Sequence, residues 1–227
     1  MNKLMMQRGN RYSTRDFVYE IIRERIMTLD LAPGSSISEK EIADELEVSR
    51  TPVREAFLKL SEDELLQILP QKGSFVTLID IEHAENARFM REHLEVAMIR
   101  LACEKITNGA IEKMEMNLSQ QEMVRKAKDE EAHFQLDQDF HRLISEGTDK
   151  LRVWGAIQKM NIHLNRILKL SINSRYNWDV LTEHHRQLFT AIKEKDQESA
   201  EKIMREHLRL VSFDQYEIKQ KHPEYFN

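Results

Sequence analysis

The chain has 227 residues, 41% hydrophobic and 32% charged, with net charge −5, enough apolar mass for a real core and room for two modest domains. No apolar run approaches the ~18–20 residues of a membrane span, and the opening MNKLMMQRGNRY lacks the apolar centre of a secretory signal. A single cysteine, Cys103, excludes an internal disulfide and fits a reducing compartment, so the expectation is a soluble, cytoplasmic protein with no membrane partner. Set in the apolar run EVAMIRLACEKI, Cys103 reads as a buried structural thiol. With 6 Gly, 4 Pro and 7% aromatics, the chain reads as mainly α.

The first helix is expected after Ser13 or Thr14, with Phe17, Val18, Ile21, Ile22, Ile26 and Leu29 at helical spacing. LAPGSSIS breaks it, and Ser38-Glu39-Lys40-Glu41 opens a second helix as a capping box. A third begins at Ser49 or Thr51, with Pro52 in the first turn, where a missing N–H costs nothing. Leu66–Leu69 and Phe75–Leu78 are strand candidates joined by the basic-tipped turn Pro70-Gln71-Lys72-Gly73. Helix, helix, tight turn, helix, hairpin is the order of a winged helix-turn-helix, whose third helix lies in the DNA major groove. From Asp80 onward the pattern is all helical, over about 81–106, 110–128, 131–146, 150–173, 179–194 and 196–219. The expected domains are 1–79, a winged helix-turn-helix, and 80–227, a helical bundle for effector binding and dimerisation.

Overall charge does not advertise a nucleic-acid binder, but basic residues concentrate locally. Lys3, Arg8, Arg11 and Arg15 precede any acid, and Arg50, Arg54 and Lys59 gather in the third helix. Ser49 and Thr51 at a helix N-terminus can hydrogen-bond phosphate. Arg50 and Arg54, four apart, share a face and can grip a guanine edge or a phosphate. Any three-helix unit can imitate part of this pattern. The full stretch PGSSISEKEIADELEVSRTPVREAFLKL, with the LPQKGSFV hairpin, resembles the DNA-binding domain of the GntR family of bacterial transcription regulators over about residues 13–78. That resemblance implies DNA contacts from Lys40, Ser49, Arg50, Thr51 and Arg54, with Gly73 at the wing tip approaching the minor groove. Where family members usually place glycine after the third helix, this chain has Glu64. Glycine there would supply a left-handed cap without strain.

All 9 histidines lie after residue 80. In FQLDQDFHRLI, Asp137 and His141 stand four apart on one helical face, a spacing that lets a carboxylate and an imidazole converge on one ion. His184 in LTEHHRQLF and His207 in REHLRL occupy two later helices that could point the same way. One aspartate and three histidines suit a divalent transition metal, zinc first, with nickel or manganese as alternatives. A lone histidine on a helix is more often a core or surface residue than a ligand, so no single piece decides.

The helical segment, with LDQDFHRLI and then EHHRQLFTAIKEKDQESAEKIMREHL, resembles the FCD effector domain of the FadR subgroup of GntR regulators over about residues 81–215. Metal-binding members use an aspartate and three histidines, which carry over onto Asp137, His141, His184 and His207. His185, about 100° around the helix from His184, is the poorer candidate in this reading, and Asp139 lies off the His141 face. Arg91, in FMREHLE, matches an arginine lining the effector cavity of similar proteins. Its bland alternative is an intrahelical pair with Glu95.

These readings describe a metabolite-responsive regulator and not an enzyme. Its expected partners are double-stranded operator DNA, a second copy of itself in a homodimer, and a small carboxylate effector bound through the metal. The rival is a metal-dependent hydrolase or oxygenase carrying a helix-turn-helix, since open metal sites are also catalytic. Against it stand the lack of HExxH, of a nucleophile elbow and of a phosphate loop.

Overall fold

The structure is a computed structural model that describes residues 13–173 and 178–227; Lys3, Arg8 and Arg11 lie outside them. The chain divides into two compact units. One runs to Asp80 and also takes in His222–Asn227; the other is Ile81–Lys221. The last six residues, expected with the helical domain, thus group with the first.

The first unit is α1 (Thr14–Met27), β1 (Ser36–Ile37), α2 (Glu39–Glu45), α3 (Arg50–Glu62), β2 (Leu66–Leu69) and β3 (Gly73–Val76). Ser13 and Ser38 cap α1 and α2 by accepting from the backbone N–H of Asp16 and Glu41, which satisfies donors a helix start leaves free. Val18, Ile22 and Ile26 of α1, and Val53, Ala56, Phe57 and Leu60 of α3, are fully buried where the two helices pack together. Fully burying each of the larger side chains among them is worth about 1.5–3 kcal/mol. Tyr19 adds a 2.6 Å hydrogen bond to Asp63 at the end of α3. The sheet order is β1-β3-β2, all antiparallel, with Leu66 opposite Val76 and Leu69 opposite Gly73. The last strand starts two residues before the apolar run expected at Phe75–Leu78, because Gly73 and Ser74 already pair with Leu69 and Ile68. The strand β1 is too short to have a periodicity.

The second unit is α4 (Ile81–Lys105), α5 (Asn108–Ala127), α6 (Glu130–Gly147), α7 (Leu151–Met160), α8 (Ile162–Asn173), α9 (Trp178–Glu194) and α10 (Gln197–Lys221). The single helix expected over 150–173 is two, broken at Asn161. Val96, Ile99, Cys103, Met114, Leu118, Phe140, Ile144, Leu188, Ile192 and Met204 make one apolar core. The Cys103 thiol, 2% exposed, points its S–H at backbone carbonyls and behaves as a small apolar group. Gly147 lets α6 approach α5 closely, since a Cβ there would lie 2.6 Å from that of Ala110. Among the described residues no helix is long and apolar enough to cross a membrane.

Glu64 sits where glycine was noted as missing, and it adopts the left-handed conformation all the same, with φ 56°. Its backbone N–H reaches Ser61 and its carbonyl accepts from the Thr77 hydroxyl, so neighbouring contacts impose the turn that the side chain resists. The strain is of order ~1–2 kcal/mol, against the ~0.4–1 kcal/mol that glycine forfeits through a freer unfolded chain. Glu64→Gly is therefore expected to stabilise the first unit by up to about 1 kcal/mol, read as a raised midpoint in urea unfolding. An unchanged or lowered midpoint would show that Glu64 is held without strain.

Candidate functional site

In the first unit, α3 presents Ser49, Arg50, Thr51 and Arg54 to solvent, while Val53 and Ala56 face the core. Ser49 is the N-cap residue by backbone, yet its side chain makes no capping bond. Lys40, Arg50 and Gly73 line one open groove with Ser36, Ser38 and Lys72, with a volume of ≈ 580 Å³. Arg54 stands one helical turn beyond Arg50. Arg50 is held loosely, 3.5 Å from Glu39 with 68% of its side chain exposed. At the wing tip Gly73 has φ 108° and open space around it; any side chain there would be strained. Glu39 and Glu41 line the same groove.

The second unit brings four side chains together, and one of them differs from the expected set. Asp137 and His141 of α6 meet His185 of α9 and His207 of α10, with one ligand atom from each lying within 4.8 Å of the others. All four are buried, at 6%, 1%, 1% and 3% exposure. His184, expected in the third position, is only half-buried and is not part of this group. The reason is the apolar stripe of α9: Leu181, His185, Leu188 and Ile192 fall on one buried face, and His184 is rotated about 100° from it. Asp139, set aside from sequence, pairs with Arg142 away from the cluster.

Hydrogen bonds fix the tautomers. The Leu136 carbonyl can only accept, so the Asn117 amide offers it Nδ2 at 3.0 Å. Asn117 Oδ1 then accepts from Gln121 Nε2 at 2.7 Å, and Gln121 Oε1 lies 2.9 Å from His185 Nδ1. That nitrogen must carry the proton, which leaves the Nε2 lone pair of His185 free, 3.5 Å from Asp137 Oδ1. His141 is braced in the same way: its Nδ1 donates to Glu95, and its Nε2 lies 3.1 Å from His207 Nε2. Outer bonds of this kind orient metal-binding imidazoles in general. Phe140 stacks on His185 at 4.2 Å and excludes water from that side.

The electrostatics favour neutral rings at His185 and His207. Burial, reinforced by the neighbouring imidazoles and Arg91, holds His185 and His207 well below the ordinary histidine range. Glu95 runs the other way. Burial alone would raise it, but Arg91 and His141 outweigh that and bring it down to about 2. Three imidazoles and one carboxylate converging on one point are the donor types of a divalent transition ion. Donors around such an ion at ~2.1 Å stand at most about 4.2 Å apart, so small side-chain movements would close the set. His133 continues the α6 stripe one turn earlier but stacks on Trp178 at 4.4 Å and lies outside the donor group.

Arg91 makes the intrahelical pair with Glu95. Its Nε donates to Glu95, and its Nη2 is buried with no hydrogen-bond partner. Glu95 and Gln121 were not singled out as site residues from the sequence. The available signal was a polar residue at a core-facing position, as Gln121 is after Ala110, Met114, Asn117 and Leu118 on α5.

Residues 14–76 match the model of the bacterial regulatory proteins of the gntR family, and residues 87–210 match the FCD domain. The chain is 34% identical to the HTH-type transcriptional repressor RspR of Escherichia coli, over 92% of each chain. It is also 34% identical to an HTH-type transcriptional regulator from Streptomyces ambofaciens, over 98% of this chain and 93% of that one. The chain is a GntR-family transcriptional regulator with an FCD domain. In fold it is similar to E. coli McbR/YncC, with TM-score 0.80 at 20% identity, covering 91% of this chain and 99% of that one. The regulator is not an enzyme, which removes the hydrolase and oxygenase alternative.

The geometry yields a direct test. His185→Ala should abolish tight binding of Zn²⁺ to chelator-treated regulator in calorimetric titration, while His184→Ala should leave it within a few-fold. Gln121→Leu, which frees the His185 tautomer, should weaken affinity by ~10–100-fold, the usual cost of losing an outer-sphere partner. Retention of tight binding by His185→Ala would remove the cluster as the site.

Proposed function

We propose that this regulator binds operator DNA as a homodimer in the cytoplasm and senses a small carboxylate through a divalent ion held by Asp137, His141, His185 and His207. The observation that carries the reading is the convergence of one carboxylate and three buried imidazoles, two of them braced by Glu95 and Gln121, beside the unpartnered Nη2 of buried Arg91. With one carboxylate ligand the bound ion keeps net positive charge, and together with Arg91 it suits an anionic guest. Zinc fits the ligand types best, with nickel and manganese behind it. The two-fold pairing follows from DNA reading: one helix-turn-helix covers too few base pairs to be selective, and a dimer matches a pseudo-palindrome. An effector acts by binding unequally to two arrangements of the dimer.

Lys40, Ser49, Arg50, Thr51 and Arg54, with the Gly73 wing tip, form the proposed DNA face. Arg50→Ala and Arg54→Ala should each weaken binding by about 1–3 kcal/mol if the residue grips a base, relaxing specificity at one position. A phosphate-binding residue instead weakens all sequences alike and flattens the salt slope. Gel-shift titration at two salt concentrations separates the cases, and wild-type affinity in both variants would remove the assignment. For the effector site, some member of a panel of small carboxylates should raise the melting temperature of zinc-loaded regulator. It should leave the chelator-stripped form and Arg91→Ala unmoved. Equal stabilisation of the stripped form would place the carboxylate elsewhere.

Acid sensitivity follows from the buried rings. Below about pH 6.5 the unfolded chain's histidines take up protons, whereas folded His185 and His207 stay neutral to much lower pH. The unfolded state then binds more protons, so stability must fall as pH drops below that value. Urea melts of metal-free protein from pH 7.5 to 5.5 should show this decline, smaller in His207→Gln.

A further inference from the structure

The chain enters the DNA-binding unit twice, once along its N-terminal course and again at its last residues. After α10 ends at Lys221, His222–Asn227 makes a 3-10 turn and pairs with the segment that leaves the winged helix. The Ile79 N–H donates to the Tyr225 carbonyl at 2.8 Å, the Asn227 N–H donates to the Ile79 carbonyl at 3.3 Å, and the two strands run parallel. Phe226 is 6% exposed and Ile79 is fully buried. His222 stacks on Tyr225 within the turn, with ring centroids 5.3 Å apart. A parallel bridge and a buried aromatic thus tie residues 222–227 to the first unit.

The two covalent connections out of the unit, at Asp80–Ile81 and Lys221–His222, lead into α4 and α10. Those helices carry the polar cluster: Arg91 and Glu95 on α4, His207 on α10. They are fastened to each other, because Glu92 accepts from Arg205 at 3.0 Å and from Arg209 at 2.8 Å, and Arg100 pairs with Glu201 at 2.6 Å. From His207 one unbroken helix runs to Lys221, about 21 Å at ~1.5 Å per residue. A helix of that length moves as a rod, so displacement at His207 arrives at the bridged tail.

We propose that residues 222–227 form a strap by which α10 holds the exit of the DNA-binding unit, and that the state of the buried cluster reaches the head through it. Docked, the strap limits the conformations open to the head, and binding DNA then loses less freedom. The part of the proposal that concerns the cluster rests on the metal reading above.

The test uses the full-length regulator, a chain ending at Lys221, and Phe226→Ala, which keeps the backbone bridge in reach while removing the buried ring. The probe is a duplex selected by the wild-type protein from random-sequence DNA. Hydrogen exchange at the Ile79 amide should quicken at least tenfold in the truncated chain, and both variants should bind the duplex at least threefold more weakly. Circular dichroism should show the helical content of the second unit retained. Wild-type affinity in both variants would overturn the strap. In a second arm, Zn²⁺ is titrated into full-length protein while exchange at Ile79 and Asn227 is followed. Altered exchange in step with binding supports transmission through α10, and calorimetric binding with unaltered exchange overturns it. Absence of calorimetric binding would remove the metal reading, with the transmission argued from it, and leave the strap to be decided by the truncation arm.

Discussion

A carboxylate without access to water sits between a guanidinium and an imidazole, and the second unit is organised around that arrangement. Arg91, Glu95 and His141 are each at most 2% exposed. Glu95 takes a proton donor from both neighbours. Removing one partner of a buried pair costs about 3–5 kcal/mol, because the other charge is left uncompensated. The triad therefore fixes α4 against α6 and holds the His141 ring in one orientation. With its Nδ1 held by Glu95, the ring turns Nε2 toward His207.

A second buried acid performs the matching task for α10. Glu92 is 5% exposed and collects Arg88, Arg205 and Arg209. Burial would raise its pKa, yet these guanidinium groups bring it below the ordinary glutamate range. Glu92 and Glu95 lie on successive positions of one helical stripe, one turned toward α10 and the other toward α6. Helix α4 is thus the common strut, and its charged residues do what leucines would do in an ordinary bundle. An apolar strut would be no less stable, but it would not set the orientation of an imidazole.

The winged helix was legible because its signals are local. Caps at Ser13 and Ser38, Pro52 in a first helical turn and the Gly73 hairpin each act within a few residues. Strand β1 escaped because two residues have no pattern, and its existence depends on pairing with β3 across the unit. The cluster was half legible. Asp137 and His141 share a helix, so their spacing is readable, and His207 followed from the resemblance. His184 was chosen over His185 although the rotation argument applied to them needed an anchor. The stripe Leu181, Leu188 and Ile192 supplies that anchor and selects His185. Glu95 and Gln121 depend on which helices become neighbours, and no local rule gives that.

Polar residues also line α8, where a bundle helix would ordinarily be apolar. Asn161, Asn165 and Lys169 are at most 4% exposed, and Gln158 links Asn165 to Gln138, which in turn donates to Asp137. The Asn161 side chain has neither amide atom paired, although it is fully buried. Each such atom costs about 1–3 kcal/mol, and a core selected for stability alone would shed it.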